Sequence, residues 1–193
     1  FLFVINGANL IDGFNGLLTI NLIIINSILA YINLADGINE FSVIIIGQII
    51  VLFSFLLFNF PSAKLFLGDS GSYLLGSTVA LNVIITNNLN PDYSSFFFCI
   101  LLFYLFFEVF FSFFRKIIQK KSPIHPDKNH LHMLVFEKVA LVFGKDKGNY
   151  INSLIINLGY LSFVLPAIVF AKDPLVSRYW FFSLIVIYLI IYY

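Results

Sequence analysis

Charge is scarce in this chain. Only 11% of its 193 residues are Asp, Glu, Lys or Arg, against about 25% in soluble domains, which excludes an ordinary water-soluble globular protein. Cysteine is nearly absent. Cys99 stands alone, which excludes an internal disulfide and any cysteine-based metal cluster; in its apolar run it is expected to pack as a small hydrophobe. No G-x-x-x-x-G-K-[ST] loop and no H-E-x-x-H helix occurs, so neither a P-loop nor a zincin-type site is written here. There is no Asp-Asp dipeptide, no internal repeat and no low-complexity linker, so residues 1–193 are expected to form one domain. The chain opens Phe1-Leu2-Phe3-Val4-Ile5 with no basic segment before it, unlike a signal peptide. This run is expected to be the end of an earlier membrane helix, and the chain an N-terminally truncated part of a longer one.

What is present is apolar: 60% of residues are hydrophobic and 19% aromatic, with a mean hydropathy of +0.96. A bilayer crossing needs about 20 apolar residues. On that measure the pattern predicts an all-α, polytopic transmembrane bundle with spans at 17–34, 41–60, 73–87, 94–114, 151–171 and 178–193. Alternation puts residues 1–16, 61–72 and 115–150 on one side. That side carries Lys64, Arg115, Lys116, Lys120, Lys121, Lys128, Lys138, Lys145 and Lys147, and the other carries Lys172 with Arg178 at a span boundary. Lys and Arg concentrate on the cytoplasmic side of membrane proteins, so the first side is expected to be cytoplasmic. The basic residues gather beside the membrane, and no nucleic-acid partner is expected.

Three polar clusters share that side. In the first, Asn6, Asn9, Asp12 and Asn15 recur every third residue among Gly7, Gly13 and Gly16. On a helix, neighbours three apart share a face, so the cluster offers amides and one carboxylate at a membrane edge. Simple helix capping would use the same residue types. In the second, Phe66-Leu67-Gly68-Asp69-Ser70-Gly71-Ser72 directly precedes a predicted helix. A helix N-terminus favours anions, and Asp69 suits a hard cation such as Mg2+, which binds one or two carboxylates plus phosphate oxygens; Asp69 or Ser70 could equally be an N-cap. The third runs from Ser122 to His132 and holds His125, His130 and His132, all the histidines of the chain, with Asp127 and Lys128. Phosphate binding or proton handling near neutral pH suits such a set. His130 and His132 share a face only if extended. Glu108 lies inside the fourth span, where an embedded carboxylate is a functional candidate, although snorkelling or pairing with Arg115 or Lys116 is the simplest expectation. Asn21, Asn26, Gln48 and Asn82 are expected to hydrogen-bond between helices.

Taken together and in this order, the clusters resemble the N-x-x-N-x-x-D-G-x-x-G-L, F-x-G-D-x-G-S and S-P-x-x-P-D-[RK]-x-H-x-H elements of the polyprenyl-phosphate N-acetylhexosamine-1-phosphate transferases, the MraY/WecA-type membrane enzymes. The resemblance extends along the whole chain but covers only the C-terminal part of that family. It implies transfer of N-acetylhexosamine-1-phosphate from a UDP-sugar to polyprenyl (undecaprenyl) phosphate, releasing UMP and initiating cell-envelope glycan synthesis in a bacterial inner membrane. It implies Mg2+, with Mn2+ as a substitute, and admits a homodimer. Carried over by motif, Asp12, Asp69, His130 and His132 are expected to be catalytic. Asp69 is expected to ligate the metal, and Asn6, Asn9, Phe66, Asp127 and Lys128 to bind substrate. Met133 and Asn15 stand where many members have His and Asp. The family's upstream Asp-Asp pair is missing, so the chain by itself is expected to be inactive. A transporter or noncatalytic binder of nucleotide- or lipid-linked sugar is the alternative, although transporter sites lie nearer the midplane.

Overall fold

The computed structural model describes residues 1–122 and 128–193, and the described residues contain helices and no strand. In chain order the helices are α1 (Leu2–Ile11), α2 (Leu17–Ala35), α3 (Asn39–Asn59), α4 (Gly68–Leu89), α5 (Ser95–Leu101), α6 (Phe103–Ile118), α7 (Leu131–Phe143), α8 (Lys145–Val169) and α9 (Pro174–Tyr192). Four of them, α2, α3, α8 and α9, are long and apolar enough to cross a membrane, and the bent pair α5–α6 makes up to five. The expected all-α membrane bundle is therefore what forms.

The differences from the expected spans have local causes. The fourth, 94–114, is broken at Leu102, where α5 and α6 meet at 78°. The third begins five residues early, because Gly68-Asp69-Ser70-Gly71-Ser72 forms the first turns of α4 instead of preceding them. At 22 residues, α4 is about 33 Å long, enough to cross, but it is diluted by Ser, Thr and Asn. The buried ones, Ser72, Asn82 and Thr86, are hydrogen-bonded within the protein. Asn82 donates to Asn26 at 3.0 Å and to Gln48, and Thr86 accepts from Asn33 at 2.9 Å. The expected interhelical amides are thus in contact across α2, α3 and α4, and Asn21 of α2 meets Asn157 of α8 at 3.4 Å. The segment 115–150 holds α7, which hydropathy had placed within a loop. Cys99 is exposed on α5 instead of packed.

Small residues bring α1 deep into the bundle, as they do where membrane helices approach closely. A Cβ on Gly7 would strike the backbone carbonyl of Leu105, and one on Gly76 would lie 2.6 Å from the Cβ of Ala8. So α1 seats against α6 and α4, and its C-terminal end is held there. By contrast, α3 and α9 leave most of their apolar surface outside, with Phe53, Leu57, Val186 and Ile190 exposed.

The two ends of the bundle differ. At one end the loops after α2, α4 and α8 converge: Lys172 pairs with Asp36 at 3.6 Å, Asn90 donates to Asn33 at 3.0 Å, and the Ser94 N–H donates to the Ala171 carbonyl at 2.8 Å. The three polar clusters gather at the opposite end.

Candidate active site

The first cluster straddles a helix end. Asn6 and Asn9 lie on α1, whereas Asp12 is its C-cap and Asn15 sits in the turn that follows. Gly16, at φ +77°, closes that turn in the left-handed region, which a residue with a Cβ enters only with strain. The turn is pinned from two directions. Asn59 at the end of α3 accepts from the Gly16 N–H at 2.7 Å and donates to the Leu65 carbonyl at 2.8 Å. Asn149 of α8 accepts from the Asn15 N–H at 2.8 Å, and the Asn15 amide donates to the Pro61 carbonyl at 2.8 Å. The first cluster is thereby tied to the loop that leads into the second.

Direct contact between them runs through Asn9. Its amide lies 3.0 Å from both Asp69 Oδ1 and Ser72 Oγ. Asp69 stands in the first turn of α4, not at its N-cap, which is Leu67 and makes no side-chain capping bond. The capping explanation for Asp69 therefore does not apply, and its exposed carboxylate remains available to a ligand. Asp12 is half-buried beside it. Burial first, and the Asp69 charge second, push the Asp12 carboxyl up to about 6, since both disfavour a second negative charge.

The third cluster joins through an aromatic contact. The ring of Phe14, in the first turn, meets the His132 ring edge-on at 5.7 Å and the Phe136 ring at 5.0 Å. His130 is the N-cap of α7, extended at φ −99° and ψ 148°, and His132 lies in its first helical turn. This change of backbone conformation lets residues two apart bring their rings together, parallel within 6° at 5.6 Å. Both are buried, at 6% and 2% exposure. Burial lowers His132 to about 4, so its ring is neutral near pH 7. Its Nδ1 lies 3.3 Å from the Tyr104 hydroxyl.

Glu108 departs from expectation. Its carboxylate, 1% exposed, accepts from the Leu131 N–H at 3.2 Å and the Tyr188 hydroxyl at 2.9 Å, and its other oxygen lies 3.2 Å from His130 Nδ1. The expected pairing with Arg115 or Lys116 is replaced by these contacts because the first turn of α7 presents an unpaired N–H to the acid. An embedded carboxylate was the signal in the sequence; its partners, 22 and 80 positions away, were not legible there. Asn59, Asn149 and Tyr188 carried no motif signal at all.

Among the other expected residues, Asn6 is exposed and bonds the Leu2 carbonyl of its own helix at 2.8 Å, away from Asp69. Phe66 is 77% exposed just before α4. Lys128 is exposed, and Asp127 and His125 lie outside the described residues. A hard divalent cation, if held here, would offset the repulsion between Asp12 and Asp69 and would take its remaining ligands from phosphate and water. Among the described residues no group of three or more metal-type donors is gathered, so such an ion would rest on these carboxylates and on oxygens of its ligand.

Residues 1–87 match the family model described as glycosyl transferase family 4. The chain is 34% identical over 143 residues to an undecaprenyl-phosphate alpha-N-acetylglucosaminyl 1-phosphate transferase of Thermotoga maritima, covering 72% of this chain and 42% of that protein. It is 32% identical over 135 residues to a probable undecaprenyl-phosphate N-acetylglucosaminyl 1-phosphate transferase of Bacillus subtilis, covering 67% and 36%. It is 42% identical over 82 residues to a phospho-N-acetylmuramoyl-pentapeptide-transferase of Leuconostoc mesenteroides, covering 42% and 25%. The chain thus spans less than half the length of these relatives. No solved structure matches it significantly.

Proposed function

We propose that this chain, which belongs to glycosyl transferase family 4, contributes the phosphosugar-transfer site of an enzyme that moves N-acetylhexosamine-1-phosphate from a UDP-sugar to polyprenyl phosphate. The observation that carries the reading is the convergence of three sequence-distant clusters at one end of a membrane bundle, through Asn9 to Asp69 and through Phe14 to His132. Both substrates of such a reaction are anionic, and one is anchored in lipid. A site at the membrane edge admits the head of the lipid phosphate while its chain stays in the bilayer. The amide groups gathered within the bundle, Asn26, Gln48 and Asn82, bond one another, which leaves the polar end as the place for chemistry.

In this reading Asp69, with Asp12 beside it, holds Mg2+ or Mn2+. The ion would neutralise phosphate charge and polarise the phosphoryl oxygen under attack. Asn9 fixes the Asp69 carboxylate through its hydrogen bond. Phe66 offers an exposed ring for stacking on the uracil, and His130 and His132 face the diphosphate from α7. Asp127 and Lys128 belong to the same sequence element as the histidines, and with Asn6 are assigned to substrate binding. The excess of Lys and Arg on this side supports a cytoplasmic active face in a bacterial plasma membrane.

The reading is tested with the full-length protein in detergent, supplied with a UDP-N-acetylhexosamine, polyprenyl phosphate and Mg2+. UMP release that requires both the lipid phosphate and the divalent ion is expected. UMP release that ignores the lipid, or a protein that binds the nucleotide sugar and returns it unchanged, contradicts it.

A further inference from the structure

We propose that Glu108 is a positioning residue for the histidine pair: it fixes His130 with the proton on Nδ1 and sets the plane in which His132 stacks. The inference rests on the transferase reading only for the consequence it has on turnover; the geometry stands by itself. Glu108 Oε1 accepts from a peptide N–H that cannot rotate away, that of Leu131, and from the Tyr188 hydroxyl. Oε2 is left facing His130 Nδ1 at 3.2 Å. A contact of that length between a carboxylate oxygen and a ring nitrogen is a hydrogen bond only when a proton lies between them. Glu108 accepts from both of its other partners; accepting likewise at Oε2 places the proton on the ring.

Three helices converge on this one acid. α6 supplies Glu108, α7 supplies its first N–H and His130, and α9 supplies Tyr188. One turn earlier on α6, Tyr104 places its hydroxyl 3.3 Å from His132 Nδ1. Residues four apart share a helix face, so Tyr104 and Glu108 form two supports on one face of α6, one for each imidazole. The rings they hold are parallel within 6°. Burying a carboxylate this deeply is costly unless it is hydrogen-bonded, and at Glu108 both oxygens have partners. An arrangement that merely stapled helices would not need a histidine with a defined tautomer. With the proton on Nδ1, Nε2 is the acceptor nitrogen of the ring.

The test reads the tautomer directly. The chain has only three histidines, so 15N-labelled protein in detergent micelles gives a tractable set of ring resonances, assigned with His125→Gln and His132→Gln. In the wild type, the His130 signal is expected to show a protonated Nδ1. In Glu108→Gln, the amide group can donate to Nδ1, and the proton is expected to move to Nε2. Tyr188→Phe removes one donor from the same carboxylate and is expected to shift the His130 Nδ1 resonance in a protein that keeps its helices. A wild-type His130 protonated only on Nε2, or a His130 Nδ1 resonance indifferent to both substitutions, overturns the proposal. In the turnover assay, Glu108→Gln is expected to lower kcat about 10- to 100-fold, the usual cost of losing an outer-shell partner, with KM for the UDP-sugar little changed. A rise in KM at unchanged kcat contradicts it. A wild type that shows the predicted tautomer but releases no UMP overturns the transferase reading and leaves the positioning role supported.

Discussion

The amide of Asn9 donates to Asp69 Oδ1 at 3.0 Å across 60 positions of sequence, and the same nitrogen lies 3.0 Å from Ser72 Oγ. One side chain thus locks the end of α1 to the first turn of α4. A net hydrogen bond contributes about 0.5–1.5 kcal/mol. Losing both should cost about tenfold or more in kcat/KM, chiefly by freeing the Asp69 carboxylate. Asn9→Ala is therefore expected to retain its helical circular dichroism while UMP release falls by at least that factor. An unchanged kcat/KM would show that Asp69 needs no such support.

Asp12 offers a test by pH. Its carboxyl is raised from 3.8 to about 6 by burial and by Asp69, so folding disfavours its charge. For a raised carboxyl the stabilising contribution is present below the unfolded value near 3.8 and is lost as pH rises through about 6. In metal-free protein, Asp12→Asn is accordingly expected to raise the thermal midpoint at pH 7.5 and to leave it unchanged at pH 4; in the assay with Mg2+ supplied, the same variant is expected to have lost turnover. Asp69→Asn should lower the Asp12 titration midpoint, read by carboxyl NMR, because the second cause of its shift is gone. A midpoint that does not move would remove the electrostatic coupling between the two acids.

The seat of α1 depends on glycine. A Cβ on Gly7 would meet the Leu105 carbonyl, which belongs to a backbone that cannot swing aside. Gly7→Ala is expected to destabilise the protein by about 1–3 kcal/mol, as overpacking does. Gly47→Ala, in the interior of α3 where nothing lies within 4 Å, serves as its control and should not lower the thermal midpoint in detergent, since Ala is the better helix former.

Some of this was legible in the sequence because the membrane imposes it. Hydropathy located α2, α3, α8 and α9 to within a few residues, except that α8 starts six residues early. Alternation of the spans placed the three clusters together at one end. The break at Leu102 was hidden because apolar residues run on through it, and a bend between two apolar helices leaves hydropathy unaltered. α7 was masked by the Lys-rich and His-rich segment around it. At the site, Asp12 and Asp69 announced themselves as carboxylates amid glycine and apolar residues. The service of Glu108 to His130 depends on α6, α7 and α9 meeting, and no local pattern encodes that. Asn6 shows the converse: it shares the three-residue recurrence with Asn9, yet its amide turns back to Leu2.

The most direct test of the account concerns Asp69, where the metal, the Asn9 contact and the Asp12 coupling meet. The measurement is the rate of Mg2+-dependent UMP release by full-length Asp69→Asn beside the wild type, with helical content monitored in parallel. The account predicts a loss of at least about 100-fold, the scale of removing one electrostatic stabilising group, with the fold intact. A folded Asp69→Asn protein that turns over at the wild-type rate would contradict it.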